Sequence, residues 1–196
     1  GTMTKPYHAG LAARNGALAA RLAARGMTAG KDAFETAQGF LTAFSFGNAP
    51  DRSSPSRLGE EWFLPRQRLC VKKYPTCYFM HRSFDATARL VAEHRLRPED
   101  IRRVEVTMGK GQTAVLLNER PQTGLEAKFS EQFAIATAVV RGTMGVADLT
   151  DEVVQRPEIQ AFFPKVRINA VDEYDPRDPA HSPTERVVIT LQNGST

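Results

Sequence analysis

The sequence predicts an α+β fold: a small sheet with helices packed on one face, preceded by helices that belong to an all-helical domain mostly absent from the chain. Three observations carry this expectation. From residue 67 the segments run strand, helix, strand, helix, short helices, strand, strand, which is the order of an α+β layer rather than of a repeated βαβ unit. Ahead of them, half of residues 6–25 are Ala or Gly, with a stripe of Leu11, Leu18 and Leu22 and an adjacent one of Arg14, Arg21 and Arg25. Small residues on almost every face suit a helix packed closely between other helices. Between the two parts lies a run rich in Pro, Ser and Asn at 47–56. The division follows as a helical segment over 1–47, a linker over 48–66 and an α+β domain over 67–196.

Taken in order, the first helix has Pro6 in its first turn, where a missing N–H costs nothing, and Gly26 just beyond its end. The apolar spacing of Phe34, Phe40, Leu41 and Phe44 predicts a second helix over 31–44. Residues 68–73 read as a strand running into Tyr74-Pro75, since proline disfavours helix in the residue before it. Thr76 is then an N-cap for a helix over 77–94. After a turn at 97–100, residues 101–108 alternate as a half-buried strand, with Val104, Val106 and Met108 in phase and Ile101 out of it. A helix is expected over 125–141, stopped by Gly142, with short helical pieces near 149–154 and 157–162. The end reads as a hairpin-like pair, 165–172 and 186–192, joined by a Pro-rich loop at 175–183.

Composition excludes several classes. No apolar run reaches the ~18 residues of a membrane-crossing helix, and the Lys-bearing start lacks the apolar core of a signal peptide. Position 1 is not Met, so a fragment boundary is expected there. Cys70 and Cys77 are too sparse for a disulfide framework and fit a reduced, cytoplasmic protein. Without paired C-x-x-C spacing no metal site is expected. The net charge of +4 is spread among interleaved acids and bases, and no aromatic-interleaved basic patch marks a nucleic-acid surface. A small polyanionic substrate fits better.

Two basic clusters carry the candidate chemistry. Lys5 and His8 stand at the start of the first helix; a lysine there binds a carboxylate or, if desolvated, does acid–base work. Lys72 ends the expected strand, with Lys73 alternating to the solvent side. Cys77, His81 and Asp85 follow at helical spacing, so that Asp85 would orient the His81 ring and Cys77 would feel the helix dipole. The plainer reading of this stripe is a hydrogen-bonded seam fastening the helix to the sheet.

The run Thr2-Met3-Thr4-Lys5-Pro6-Tyr7-His8-Ala9-Gly10, the run Lys72-Lys73-Tyr74-Pro75-Thr76-Cys77 with His81 and Asp85-Ala86, and the run Ala127-Lys128-Phe129-Ser130-Glu131-Gln132-Phe133 together resemble the MmgE/PrpD family. That family comprises relatives of 2-methylcitrate dehydratase, cis-aconitate decarboxylase and iminodisuccinate epimerase. The resemblance covers only the central helical segment and the small α+β lid domain of such enzymes, and Phe133 stands where the motif usually has Tyr. It implies a site between a helical domain and a lid, neither metal nor organic cofactor, and proton abstraction beside a carboxylate. In that scheme Lys5 and Lys72 bind substrate carboxylates and take part in catalysis. His8 and His81 are catalytic candidates, and Cys77 and Asp85 support them.

The expected function is therefore a lyase or isomerase of 2-methylcitrate dehydratase type acting on a small di- or tricarboxylate, with this chain only part of the catalytic unit. Its partners would be that substrate and either further copies of itself in a homo-oligomer or a missing helical domain, with neither nucleic acid nor membrane. The alternative is a truncated, non-catalytic binding or oligomerisation module that retains the lid. A third reading, a cysteine-dependent hydrolase built on Cys77 and His81, is the weakest.

Overall fold

The computed structural model describes residues 2–45, 59–60, 62, 64–65, 69, 71–177 and 181–196. The chain forms two compact units, one of Met3–Val71 and the other chiefly of Lys72–Thr196. The expected linker at 48–66 lies largely outside the described residues.

In the first unit, helix α1 spans Thr4–Ala23, with Pro6 inside its first turn among the N–H groups that have no helical acceptor. It ends where the Met27 N–H reaches back to the Leu22 carbonyl at 3.1 Å. That closure needs the left-handed backbone of Gly26, at φ 92°. None of the residues of α1 is buried. The helix expected over 31–44 does not form. Residues 31–39 are turns, and only α2, Phe40–Ala43, is helical. The chain folds back on itself at Gly39, so closely that a Cβ there would meet the Ala33 and Phe34 carbonyl oxygens at 2.9 Å, and the absent side chain of glycine permits it. The three phenylalanines meet side by side, Phe34 on Phe40 at 5.8 Å and Phe40 on Phe44 at 4.5 Å.

The second unit is built on strand β1, Ile101–Gly109, which is central in a sheet of order β2-β1-β3. Strand β2, Val166–Val171, runs parallel to β1, and β3, Arg186–Leu191, runs antiparallel to it. The expected hairpin between the last two strands is thus replaced by a sheet in which β1 separates them. Parallel pairing of β1 with β2 requires a long crossover, which residues 110–165 supply. The phase break at Ile101 is a β-bulge: pairing with β3 slips between Ile101 and Arg103, so that Ile101, Val104, Val106 and Met108 are all buried.

Helix α3, His81–His94, follows a 3-10 turn at Tyr78–Met80, and packs on β3. Thr76 does not cap it; its hydroxyl is buried without a partner, and Cys77 precedes the 3-10 turn in extended conformation. After α4, Lys110–Thr113, the helix expected over 125–141 is two helices. Helix α5 is Gly124–Ala127, capped by Thr123, whose hydroxyl accepts the Glu126 N–H. Helix α6 is Glu131–Arg141, capped by Ser130, whose hydroxyl accepts the Phe133 N–H at 3.1 Å. Helices α7, Asp151–Val154, and α8, Pro157–Gln160, precede a 3-10 turn at Phe163–Lys165 that leads into β2. Helix α6 packs against α3, α8 and this turn, and Glu131 through Val139 are all buried. Phe84, Phe133 and Phe162 are the largest fully enclosed side chains, each contributing about 1.5–3 kcal/mol by leaving water.

Candidate active site

The segment Lys72–Cys77 has no helix or strand, so the strand expected over 68–73 is absent among its described residues. It is a bent loop held by side chains. Tyr74 is its anchor: the ring is buried, 4.5 Å from Phe84 and 5.2 Å from the His81 ring, both on α3. Its hydroxyl donates to Asp85 Oδ1 at 2.6 Å. The far end of the loop is tied where the Cys77 N–H donates to the Lys128 carbonyl at 2.9 Å.

Within this loop Lys72 Nζ donates to the Thr76 carbonyl at 2.9 Å, folding its ammonium back over its own loop. The residue stays exposed, and an ammonium has three donors, so two N–H groups remain for a ligand. Lys73 is solvent-exposed as expected, though on a bent loop and not a strand, and it pairs with Asp85 at 2.7 Å while its ammonium lies 5.1 Å over the Tyr74 ring.

His81 is 5% exposed, between the rings of Tyr74 and Tyr78. Burial lowers its pKa first, and the nearby Lys72 charge lowers it further, against backbone hydrogen bonds at Thr76 and Tyr74. The imidazole is therefore neutral at neutral pH, and its Nε2 has no hydrogen-bond partner. Asp85 does not orient it, contrary to the expectation from spacing: Oδ1 accepts from Lys73 and Tyr74. Burial raises the Asp85 carboxyl, but those two hydrogen bonds outweigh it and hold it below the usual carboxylate range. Cys77 is half-buried and lies outside α3, so the expected stripe of Cys77, His81 and Asp85 on one helix is broken at its first member.

The structure thus brings Lys72 and His81 together, with Cys77 in the same loop and Asp85 one turn along α3. Lys5 and His8 belong to the other unit, exposed on the first two turns of α1. Among the described residues no group of three or more His, Cys, Asp or Glu is placed to hold a metal ion, and no helix is long and apolar enough to cross a membrane.

One ionisable cluster escaped the sequence. Glu131, first residue of α6, is fully buried, and neither carboxyl oxygen has a short partner. Burial, reinforced by Glu185 and only partly relieved by the Ser83 hydroxyl, pushes its pKa up to about 8. Glu185 is raised too, by burial, against Gln112 and Arg82. Gln112 Nε2 donates to Glu185 at 2.7 Å, Arg82 lies 3.3 Å from it, and Gln112 Oε1 accepts the Gly109 and Ser182 N–H groups at 3.1 Å. The cluster joins α3, α4 and α6 to the residues leading into β3. A glutamate beside a serine cap reads as a solvated first-turn acid, and nothing local to the sequence reveals its enclosure.

The fold and the basic loop define a small α+β domain that presents a lysine beside a neutral, buried histidine. Residues 74–196 match the MmgE/PrpD C-terminal domain, and the chain belongs to the MmgE/PrpD family. It is 30% identical over 202 residues to the cis-aconitate decarboxylase of Homo sapiens, covering 100% of this chain and 40% of that protein. Against the cis-aconitate decarboxylase of Mus musculus it is 28% identical over 204 residues, with the same 100% and 40% shares. The chain spans about 40% of the length of the curated relatives it matches.

Proposed function

We propose that the chain is part of a lyase or isomerase acting on a small di- or tricarboxylate. The observation that supports this most is the Lys72 ammonium, tethered in its side-chain-held loop, close enough to the buried His81 at the start of α3 for its charge to lower the imidazole pKa. Lys72 offers two N–H donors to a substrate carboxylate, the charge-assisted contact that fixes such a group most strongly. His81 supplies an unprotonated nitrogen for a proton beside that carboxylate, and its acidified conjugate returns the proton readily. Lys5 and His8, on the first unit, are a further candidate pair for binding a carboxylate and moving a proton.

The relatives' names make cis-aconitate the first substrate to test and decarboxylation the first reaction. There the electron pair of the breaking carbon–carbon bond stays on the substrate, carbon dioxide leaves, and a proton replaces it. Dehydration of 2-methylcitrate is the second. The test is NMR detection of product from each, together with calorimetric binding of each to the chain and to Lys72→Met. The proposal expects binding to weaken at least about tenfold in Lys72→Met, as loss of a charged hydrogen bond does. Unchanged affinity and turnover in that variant overturn it.

A second reading, a non-catalytic binding or oligomerisation module, is favoured by α1, which buries none of its residues. It predicts carboxylate binding without turnover, and a solution mass by light scattering above that of one 21.7 kDa chain. A monomer that turns over substrate overturns it.

A further inference from the structure

We propose that Asp85, acting through Lys73 and Tyr74, is the positioning group that sets where the Lys72 ammonium stands. The inference rests on the reading of Lys72 as a carboxylate-binding residue, and it assigns to Asp85 and Lys73 a role in that site which His81 does not share.

The loop 72–77 has no backbone ladder to hold it, so its shape depends on few attachments. At one end the Cys77 N–H is tied to Lys128. At the other, the two residues directly after Lys72 both end on a single oxygen: Lys73 Nζ at 2.7 Å and the Tyr74 hydroxyl at 2.6 Å from Asp85 Oδ1. Asp85 sits on α3, a fourteen-residue helix whose Phe84 and Thr87 are fully buried, so the anchor point is rigid. With both ends fixed, Lys72 closes back onto the Thr76 carbonyl.

The charges matter as much as the geometry. An unneutralised carboxylate at Asp85 would compete for the Lys72 ammonium and repel a substrate carboxylate. Lys73 cancels that charge, while Tyr74 takes up a further lone pair without adding any. Lys72 is thereby left with a neutral partner, the Thr76 carbonyl, which a substrate carboxylate can outbid. Asp85 gives its oxygen to the loop and not to His81, so a role as orienter of the histidine does not explain it.

The test uses the full chain. Acetic anhydride labelling resolved by tandem mass spectrometry reports on Lys72 and Lys73 separately, and calorimetry with citrate reports tricarboxylate binding. In Asp85→Asn, labelling of Lys73 rises. If the proposal holds, Lys72 labelling changes about threefold or more and citrate affinity falls about tenfold, as expected for losing a charged hydrogen bond. Lys73→Met reproduces the affinity loss and Lys73→Arg largely restores it; both alter an exposed side chain, so the fold survives. In a Lys72→Met background Asp85→Asn lowers citrate affinity no further, although it shifts the melting temperature by the same amount as before. A purely structural Asp85 would weaken both backgrounds alike. Rising Lys73 labelling with unchanged Lys72 labelling and unchanged affinity overturns the positioning role and leaves Lys72 as ligand intact. Unchanged affinity in Lys72→Met alone overturns the carboxylate reading, while the labelling arm, which needs no ligand, still decides the position of Lys72.

Discussion

Helices α1 and α6 are written in nearly the same alphabet and end in opposite environments. Both are rich in alanine, and both finish at a glycine with a left-handed backbone, Gly26 and Gly142. Yet α6 is enclosed from Glu131 to Val139, and α1 buries nothing. Phe133 and Ile135 supply the difference: α6 carries large apolar side chains among its alanines, and α3, α8 and the 163–165 turn receive them. In α1 the larger residues are Leu11, Leu18 and Leu22, and its unit offers them no such enclosure. Small residues permit close packing; they do not provide the partner. Lys5 on α1 and Glu131 on α6 sharpen the point, since both are first-turn ionisable residues, one open to solvent and the other sealed.

The largest expected effect comes from that sealed acid. A carboxyl raised from its ordinary 4.5 to about 8 in the folded state binds more protons folded than unfolded between those values. Its favourable contribution is therefore full below about 4.5 and is lost as pH rises through about 8. At 1.36 kcal/mol per unit the loss approaches about 5 kcal/mol. Glu131→Gln, which mimics the protonated form, should remove this slope and make the chain more stable than wild type above pH 8. Urea unfolding from pH 5 to 9 reads it. A variant that keeps the wild-type slope would show that Glu131 is hydrated in solution.

Next in size is a paired truncation. Phe133→Ala should cost about 3–5 kcal/mol through lost burial and the cavity left behind. Leu18→Ala in α1, at a side chain 47% exposed, should stay within about 0.5 kcal/mol. If Leu18→Ala proved as costly as Phe133→Ala, α1 would be packed in solution against something, and the contrast between the helices would fail.

Much of the second unit was legible because its signals are local. Strand β1 shows in the alternation of Val104, Val106 and Met108, and even the misfit of Ile101 recorded a real bulge. The family likeness and the basic residues around Lys72 were legible in the same way, although their segment was expected as a strand and is a loop. What was misread depends on distant residues or on short polar signals. The last two strands look like a hairpin because each alternates, but sequence does not reveal that β1 separates them. Thr123 and Ser130 are helix caps that divide one expected helix in two, and the T-x-x-E spacing of Thr123 and Glu126 was a readable sign of it. The exposure of Lys73 was read correctly although its backbone is a bend and not a strand, whereas Asp85 was assigned by helical spacing from His81 when its partners come from the loop.

Gly124 offers a test of moderate size at the joint before α6. A Cβ there would lie 2.0 Å from the Leu149 carbonyl oxygen and 2.5 Å from its carbon, both backbone atoms that cannot step aside. The same residue donates its N–H to Asp151 at 2.8 Å, fixing α5 against the start of α7. Gly124→Ala should therefore cost about 1–3 kcal/mol by overpacking. A neutral outcome would mean that α5 can move away from Leu149 without disturbing the enclosure of α6.

The smallest effect isolates what the two Ala-rich helices share. Gly26 at φ 92° and Gly142 at φ 69° each close their helix in a conformation that a Cβ disfavours, and neither has any atom within 4 Å of where that Cβ would go. The strain of Gly→Ala is thus purely backbone, about 1 kcal/mol at either site. Its consequence should differ. In α6 the stop is coupled to a helix buried on every side, so Gly142→Ala should lower the cooperative unfolding free energy by that amount. In α1 the end is free to fray, so Gly26→Ala should leave that transition unmoved and appear only as altered amide exchange at 24–27. Equal losses from the two substitutions would place α1 within the same cooperative unit as α6, despite its exposed surface.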